Sequence, residues 1–406
     1  MKVLYIHMIG AFGGASRSLS EAIGAFPPGT VEPRFVTARG SVERFFGALG
    51  PVISARGITQ FDNTRYSYYR GLRWLVMLRE LAYLPSTIVA LYRARSQWPD
   101  IDLIHVNEFT GLVPWLIARR LFKVPTIVHV RSVARGGQSW RTRMISALLS
   151  RQAEAVVAID ETVRESLPAD LPVTVIHNAF SPKNVPIDAP PLVMPQALRP
   201  DTFKVGFVGN LLKVKGIGEL IEAAGMLARR GHDLEFLIVG DDAAPSRGLK
   251  ARLLNSLGLG QNMKAEVLAE IDRLGIKENI HMLGFSPRIA EAYEQMDALC
   301  FPSHFDAPGR PIFEAAFAGV PSIVALRAPK PDTLVNGVTG LAVPPRDAAA
   351  LADAIARLAE DPQLAKTMGA AARAMAHRNF DPRTNAALLL NVYRSVLTVA
   401  AGQSRQ

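Results

Sequence analysis

The chain has 406 residues, of which 49% are hydrophobic and 20% are charged. This length exceeds what one hydrophobic core usually serves, so two domains of about 150–200 residues are expected. The single cysteine, Cys300, excludes a disulfide framework, and its apolar surroundings favour an inert buried thiol over a nucleophile. The formal net charge of +10 predicts an anionic partner, whether nucleotide phosphate, nucleic acid or anionic lipid.

The first half of the chain alternates short apolar strands with helices. A strand over 3–7 precedes a glycine-rich loop at 10–16 and a helix over 18–26. This order is typical of phosphate-binding units, although an ordinary tight turn fits the glycine spacing equally well. Further strands are predicted at 33–37, 103–106, 125–130, 155–159 and 173–176. The alternation predicts a parallel sheet covered on both faces, in an N-terminal domain over 1–185.

A proline-rich stretch interrupts the alternation, and six prolines between residues 182 and 200 predict an interdomain linker over 186–202. Strands then resume at 204–208, 234–239, 280–283, 298–301, 322–325 and 340–343, with helices at 218–228, 246–275, 347–358 and 363–375. We expect a second domain over 203–380 and a last helix, within 381–406, that crosses back to the N-terminal domain. The predicted class is α/β, with two doubly wound Rossmann-like domains facing each other across a cleft.

The stretch 301–325 has the pattern of a ligand-binding loop followed by a helix. Pro311 suits the first turn of a helix, and Gly319 marks its end. A helix that opens on such a loop directs unpaired N–H groups and its positive dipole end at the loop, which favours a phosphate. Asp306 and Glu314 flank this opening. We place Glu314 in the first turn, where its carboxylate can accept a hydrogen bond from a sugar hydroxyl.

Several motifs of the second half occur in one order, at 208–216, 238–241, 284–286, 301–325 and 336–341. This series resembles the GT-B glycosyltransferases of the retaining family 4, also called glycosyl transferases group 1. The resemblance covers residues 205–375, and more loosely the Gly13–Gly14 loop and His129. It implies that a sugar is transferred from a nucleotide-diphospho-sugar (UDP-, GDP- or ADP-linked) to an acceptor, with retention at the anomeric carbon and with no cofactor or required metal.

The signature of this family is a pair of acids separated by seven residues, here Asp306 and Glu314. The resemblance implies that Glu314 binds the nucleotide ribose. It also implies that Asp306, which replaces the usual glutamate, reaches the hydroxyls of the donor sugar from about one methylene further away. Sugar and phosphate would contact the chain around Gly309, Arg310, Pro311 and Ile312.

The family usually places an arginine and a lysine, five residues apart, on the diphosphate. This chain has Asn210 and Lys215 at these positions. Lys215 keeps a point charge for the leaving diphosphate, whereas Asn210 can donate a hydrogen bond but supplies no charge. We hypothesise that Arg310 supplies the missing charge. The alternative for Lys215 is a plain surface lysine.

The N-terminal half offers His129, at the end of a predicted strand, where the family often has a histidine near the donor sugar. His105 ends the preceding strand and competes for this role, and a lone histidine in an apolar strand is more often a hydrogen-bonded core residue. Gly13 and Gly14 would let the chain approach the diphosphate from the other wall of the cleft. Together with Asp306 and Glu314, His129 completes the predicted catalytic set. The lack of an obvious carboxylate nucleophile favours front-face transfer, supported by positioning and electrostatic stabilisation, over a double displacement.

A basic and aromatic segment over residues 65–98 suits the interface of an anionic bilayer. A crossover helix with a solvated basic face is the alternative. We expect a cytoplasmic protein, peripheral on the inner face of the cell membrane, that acts on a glycan or lipid-linked acceptor in cell-envelope or exopolysaccharide synthesis. The N-terminal apolar run favours a strand over a signal peptide, and no run approaches the ~20 residues of a membrane-spanning helix.

Three other functions compete with glycosyl transfer. A nucleotide-sugar epimerase on the same fold would need acid and base groups around the sugar and no acceptor site. The departures at Asn210 and Asp306 suggest a non-catalytic subunit that binds sugar nucleotides. The positive charge suggests a nucleic-acid-binding protein, but the sequence has no recognised nucleic-acid motif, so we expect no nucleic-acid partner.

Overall fold

The computed structural model describes residues 1–65, 73–136, 140–182, 191–195, 198–242 and 263–403. The chain divides into two compact units. The first unit comprises Met1–Ser181 together with Phe380–Gln406, and the second comprises Pro182–Asn379. Each unit has its own parallel sheet and its own hydrophobic core.

The first unit contains a seven-stranded sheet within the described residues. Its strands are β1 (Lys2–His7), β2 (Glu32–Ala38), β3 (Val52–Ala55), β4 (Leu103–Val106), β5 (Thr126–Val130), β6 (Ala155–Ala158) and β7 (Val173–Val175). They lie in the order β3-β2-β1-β4-β5-β6-β7, and every neighbouring pair is parallel. The strand order reverses between β1 and β4. The carboxyl ends of these two strands therefore mark the edge where such sheets bind ligands.

Helices cover both faces of this sheet. They are α1 (Gly14–Gly24), α2 (Val42–Gly47), α3 (Arg73–Gln97), α4 (Leu112–Phe122), α5 (Trp140–Gln152), α6 (Glu161–Glu165) and the C-terminal helix (Pro382–Gln403). Side chains alternate along each strand, so Ile6 packs with Trp115 of α4 in one core, whereas Tyr5 packs with Leu19 of α1 and Tyr393 of the C-terminal helix in the other. Among the described residues, no helix is both long and apolar enough to span a bilayer.

The second unit contains six parallel strands within the described residues, in the order β10-β9-β8-β11-β12-β13. They are β8 (Phe203–Val208), β9 (Leu234–Val239), β10 (Ile280–Gly284), β11 (Ala298–Phe301), β12 (Ser322–Ala325) and β13 (Gly340–Val343). The helices are α7 (Ile217–Arg229), α8 (Met263–Leu274), α9 (Ile289–Tyr293), α10 (Arg310–Phe317), α11 (Ala348–Glu360) and α12 (Pro362–Asn379). Here the strand order reverses between β8 and β11. Cys300 of β11 is fully buried, as predicted, and burial raises the pKa of its thiol.

The predicted α/β class with two Rossmann-like domains is confirmed, while their arrangement across a cleft stays a prediction. The sequence interpretation missed β3, because a four-residue edge strand carries only two buried side chains, Ile53 and Ala55. The first helix begins at Gly14 instead of residue 18. Of the helix predicted over 246–275, residues 246–262 lie outside the described part, and α8 forms the remainder.

The described part of the predicted linker packs against the second unit. Leu192, Met194 and Leu198 lie against an apolar cluster that includes Tyr293 of α9. The Leu192 N–H also donates to a carboxylate oxygen of Glu291, at 3.1 Å. This stretch combines backbone-breaking prolines with apolar side chains, so it lacks regular structure and still buries against the unit that follows.

Candidate active site

The loop after β8 in the second unit is held close to the segment after β11. A short 3-10 turn, Lys213–Lys215, ends at Gly216, whose φ is +78°. A Cβ on Gly216 would lie 1.9 Å from the carbonyl oxygen of Pro302. Only glycine fits both the left-handed backbone and this contact. The turn that carries Lys215 therefore rests directly on the backbone that leaves β11.

Lys215 presents a positive charge at this edge of the sheet. Its Nζ lies 5.4 Å from the centroid of the Phe301 ring and 5.3 Å from that of Phe305. Cation–π attraction to both rings restricts the ammonium group, and burial lowers the pKa of the amine. In the described part of the chain no oxygen accepts a hydrogen bond from Nζ and no carboxylate pairs with it. Its charge is available to an anionic ligand.

Further contacts fix the loop between β11 and α10. The His304 N–H donates to the Val214 carbonyl oxygen at 2.9 Å, and the ring Nε2 of His304 lies 2.6 Å from Oε1 of Glu219. Gly309 packs on Phe301, because a Cβ there would lie 2.3 Å from the ring carbon Cζ. One aromatic ring thus supports both the lysine and the start of α10.

Asp306 holds the loop that follows β12. Its backbone is left-handed, with φ +48°, a conformation that aspartate tolerates better than most residues. Oδ1 accepts a hydrogen bond from the backbone N–H of Arg327 at 2.9 Å, and Oδ2 accepts one from Nη1 of the same residue at 3.1 Å. Arg327 was not singled out from the sequence. Whether Asp306 also binds donor-sugar hydroxyls stays a prediction.

Glu314 is buried in α10, with 4% of its surface exposed. The expectation that it occupies the first turn is wrong, since α10 begins at Arg310 and has no acidic residue in its first turn. Oε1 accepts a hydrogen bond from Nε of Arg310, and Oε2 accepts one from the Tyr293 hydroxyl, both at 3.0 Å. Pro311 does lie at the start of the helix, as predicted.

Arg310 balances Glu314, and its Cζ lies 5.3 Å from the Phe313 ring centroid. This arrangement weakens the hypothesis that Arg310 replaces the charge missing at Asn210, whose own side chain is exposed. Ile312 is buried, and its N–H already donates to the Gly309 carbonyl oxygen at 3.1 Å. The donor contacts expected around residues 309–312 stay predictions.

Three buried histidines occupy neighbouring strands of the first unit. His7 of β1, His105 of β4 and His129 of β5 are 2%, 0% and 4% exposed. Burial, with a contribution from the nearby Arg131 charge, lowers the pKa of His7 and of His105 to about 3 and that of His129 well below its usual value. Each imidazole is therefore neutral near pH 7. Within the described residues, none of the three Nε2 atoms has a hydrogen-bond partner.

Arg131 organises the polar groups at this end of the sheet. Its Nε donates to Oδ1 of Asn107 and its Nη1 to Oδ1 of Asn178, both at 2.7 Å, while Nη2 lies 3.3 Å from Nδ1 of His129. Beside it, burial raises the pKa of Glu108 to about 7. Sequence reasoning missed this cluster, although polar residues directly after the central strands were a usable signal.

His105 is tied to the C-terminal helix, because its Nδ1 lies 2.6 Å from the Tyr393 hydroxyl. This contact fits the alternative of a hydrogen-bonded core histidine. Gly13 caps α1, and its N–H donates to the Ser16 hydroxyl at 2.8 Å. A Cβ on Gly13 would meet no atom within 4 Å, so sterics do not demand glycine there. Gly14 is the first residue of α1.

The predicted site residues thus form two groups, one in each unit. The first unit holds Gly13, Gly14 and His129. The second unit holds Asn210, Lys215, Asp306, Gly309, Arg310, Pro311, Ile312 and Glu314. The contacts of Phe301, Phe305 and α10 bring together Lys215, Asp306 and residues 309–314 of the second group, whereas the exposed Asn210 takes no part in these contacts. In the described residues no three carboxylate, imidazole or thiol groups gather as metal ligands do.

Two family models match the chain. The model for glycosyl transferases group 1 matches residues 194–375, and the model for a glycosyl transferase 4-like domain matches residues 13–179. The chain belongs to the family 4-like glycosyltransferases. The resemblance drawn from the ordered motifs is therefore confirmed at the level of the family, and the matches extend it through most of the N-terminal half.

Relatives of this glycosyltransferase include the glycogen synthase of Mycobacterium tuberculosis, which is 25% identical over 314 residues, covering 74% of this chain and 69% of that protein. The capsular polysaccharide biosynthesis glycosyltransferase CapM of Staphylococcus aureus is 23% identical over 372 residues, covering 87% of this chain and 91% of CapM. The structure of Anabaena HepE in complex with UDP superposes with a TM-score of 0.72 at 22% identity, covering 97% of this chain and 100% of the HepE chain. The structural likeness shows the GT-B fold.

Acidification is expected to destabilise the first unit of this glycosyltransferase. An imidazole in the unfolded chain titrates near pH 6.5, whereas His7 and His105 keep folded-state pKa values of about 3. Below about pH 6.5 the unfolded chain therefore binds more protons. The free energy of unfolding should fall as pH decreases, by up to about 1.4 kcal/mol per pH unit for each histidine. Urea unfolding between about pH 7.5 and 5 measures this slope.

Glu108 acts in the opposite direction, because its folded-state pKa of about 7 exceeds the usual 4.5. The folded chain therefore binds this proton at a higher pH than the unfolded chain does, which stabilises the fold as pH decreases. The contribution of one carboxyl group to the pH dependence is smaller than the opposite contribution of three imidazoles. Tyr5 and Tyr393 stay neutral in this range, since burial raises the pKa of both, and Arg131 stays charged. The variant His105→Gln should flatten the slope; an equally steep slope in this variant would contradict the assignment.

Proposed function

We propose that this glycosyltransferase moves a sugar from a nucleotide-diphospho-sugar to a glycan or lipid-linked acceptor, with retention of the anomeric configuration. The observation that carries the proposal is Lys215, a partly buried cation with no anionic partner among the described residues, at the strand-order reversal of the second sheet. The HepE structures contain UDP or UDP-glucose, and CapM acts in capsular polysaccharide synthesis. Both support a nucleotide sugar as the donor and polysaccharide synthesis as the setting.

Lys215 has the role of stabilising the leaving diphosphate. Negative charge develops on the diphosphate as its bond to the anomeric carbon breaks, and a fixed cation lowers the energy of this transition state. The Phe301 and Phe305 rings hold the ammonium in place before the donor arrives. Little reorganisation is then required during the reaction.

The two acids bind the donor in this proposal. Glu314 accepts hydrogen bonds from Arg310 and Tyr293, which hold its carboxylate in place within the second unit. In this proposal a ribose hydroxyl donates to the same carboxylate. Asp306 is held by Arg327 in the same way and keeps capacity for a hydroxyl of the donor sugar. The proposed reaction requires no metal.

Retention follows from front-face transfer. The bond from the anomeric carbon to the diphosphate oxygen breaks while the acceptor hydroxyl forms its bond on the same face. The acceptor proton passes to the departing diphosphate oxygen. This step needs no protein nucleophile, and catalysis rests on positioning and charge stabilisation. In this proposal His129 lies near the donor sugar, and Gly13 and Gly14 lie near the diphosphate.

The anomeric proton of the first sugar released, followed by NMR, tests this function. The expected result is slow hydrolysis of an α-linked donor to the α-sugar, accelerated when an acceptor is present. A β-sugar as first product would contradict retention. Binding without turnover would favour the non-catalytic subunit, which the uncharged Asn210 also suggests. An epimerised nucleotide sugar as the product would favour the epimerase.

The acceptor proposal includes an anionic membrane surface. Helix α3 exposes a line of apolar side chains, the α3 stripe, which consists of Leu78, Leu81, Val89 and Tyr92, exposed by 51%, 57%, 56% and 58%. At about 100° per residue they lie within a sector of about 80°. Arg93 is exposed beside them. The basic and aromatic residues at 66–72 of the predicted membrane-binding segment lie outside the described residues. The side chains of residues 73–75 lie outside them as well.

An apolar helix face with basic residues beside it suits the headgroup region of an anionic bilayer. We place the enzyme on the inner face of the cell membrane through this stripe. The double variant Leu78→Ser/Leu81→Ser is expected to bind vesicles of phosphatidylglycerol about tenfold more weakly than wild type. The reason is that wild-type binding transfers two half-exposed leucine side chains from water into the bilayer, and the variant lacks this contribution. Co-sedimentation measures this binding.

Leu388→Ser is the matched control, since Leu388 is 44% exposed on the C-terminal helix of the same unit. It should bind vesicles as wild type does. Wild-type protein that fails to sediment with phosphatidylglycerol vesicles at low salt would remove the membrane from the proposal. The crossover helix with a solvated basic face would then be the better interpretation of α3.

A further inference from the structure

We propose that Arg327 is a second anion-binding group of the donor site, which takes a negatively charged group of the donor. This group is either the β-phosphate or a carboxylate on the transferred sugar. The inference rests on the proposed function and specifies the donor chemistry of the same site. It concerns a residue that the sequence motifs do not point to.

The Asp306–Arg327 pair is asymmetric. The Asp306 side chain is 13% exposed, whereas the Arg327 side chain is 67% exposed. Arg327 uses one guanidinium nitrogen, Nη1, to bind Asp306, and the described residues provide its guanidinium with no other partner. A guanidinium has five N–H donors in a planar fork that matches phosphate and carboxylate oxygens. The side of this pair that solvent or a ligand meets is therefore positive.

Arg327 is connected to the rest of the donor site through two consecutive residues. Asp306 binds both the backbone N–H and the guanidinium of Arg327, which fixes where the side chain starts and where it ends. The preceding residue, Phe305, has its ring 5.3 Å from Nζ of Lys215. The two cations are thus anchored on the same short loop after β11.

The charge balance of the site leaves a place for such a group. Asn210 is neutral, and the Arg310 charge is paired with buried Glu314. Lys215 alone would face a diphosphate that carries at least two negative charges. In the part of the chain that the structure describes, Arg327 is a further cation held at this loop, through its contact with Asp306, and the planar fork of a guanidinium adds selectivity that a lysine cannot supply.

Isothermal titration calorimetry of a nucleotide series tests the inference. The series is a nucleoside monophosphate, the diphosphate, the diphospho-glucose and the diphospho-glucuronate, with whichever of uracil, guanine or adenine the wild type binds. Arg327→Gln should weaken binding of the ligands that carry the recognised group by about tenfold, the usual size for a charge-assisted hydrogen bond, and leave the monophosphate unchanged. Arg327→Lys should recover part of the loss, because it restores the charge without the fork.

The pattern across the series identifies the source of the anion. An equal loss for the diphosphate and both sugar nucleotides assigns Arg327 to the β-phosphate. A loss confined to the diphospho-glucuronate assigns it to a sugar carboxylate. Arg357→Gln, on the exposed side of α11 in the same unit, is the control and should bind every ligand as wild type does.

Two results would overturn the inference. Arg327→Gln could bind all four ligands with wild-type affinity, or it could lose affinity for the monophosphate as much as for the others together with a lower melting temperature. The second result would mean that the Asp306–Arg327 pair only clamps two loops. If wild-type protein binds no nucleotide of any base, the proposed function itself fails, which is a distinct outcome.

Discussion

Lys215→Ala is expected to lower the rate constant of sugar transfer by at least about 100-fold, with the fold intact. The ammonium is the cation that two aromatic rings hold without an anionic partner among the described residues. Its charge acts on the leaving diphosphate, whose charge grows in the transition state, so the loss should fall mainly on kcat. Initial rates at saturating donor and acceptor measure it.

Lys213→Ala is the matched control, because Lys213 lies in the same 3-10 turn with an exposed side chain. It should keep a rate within about threefold of wild type, as expected for an exposed charge away from the reacting atoms. Equal rates in the Lys213 and Lys215 variants would contradict the role given to Lys215. The alternative of a plain surface lysine would then hold.

Glu314→Ala is expected to reduce both stability and donor affinity. The side chains of Glu314 and Arg310 are 5% and 12% exposed, so removing the carboxylate leaves a largely buried guanidinium without its counter-charge. Breaking a buried pair from one side typically costs about 3–5 kcal/mol in the free energy of unfolding. The KM for the donor should also rise, because the ribose loses an acceptor. Urea unfolding and steady-state kinetics measure the two effects.

Tyr293→Phe separates these effects. It removes the hydroxyl that donates to Oε2 of Glu314 and leaves the pair with Arg310 in place. The expected cost is about 1 kcal/mol of stability, with the donor KM close to wild type. A donor KM that is unchanged in Glu314→Ala would contradict the nucleotide-binding role and leave Glu314 as a purely structural charge.

The sequence was sufficient for the fold because buried strands and their intervening helices leave local signals. Runs such as Leu234–Val239 are apolar throughout, and their spacing predicted two parallel sheets correctly. The local pattern failed for β3, a short strand at the edge of the sheet. Helix starts were also imprecise, since α1 begins at Gly14 instead of residue 18, and Glu314 lies in the second turn of α10, which begins at Arg310.

The partners of the site residues were beyond the reach of sequence patterns. His105 meets Tyr393 across 288 positions of the chain, and Asp306 meets Arg327 across 21. Nothing in the local sequence of either residue encodes the other. Motif order singled out Asp306, Glu314 and Lys215 as predicted site residues, but only the fold reveals that Arg310 is paired with Glu314 and that Arg327 is exposed.

The most direct measurement for the central claim is the release of nucleoside diphosphate from UDP-, GDP- and ADP-sugars by wild-type protein and by Lys215→Ala. Wild-type protein is expected to release the diphosphate slowly from one of these donors without an acceptor. The Lys215 variant should bind that donor and release at least about 100-fold less. Wild-type protein that binds a donor and releases nothing, or a variant that releases as fast as wild type, would contradict the account.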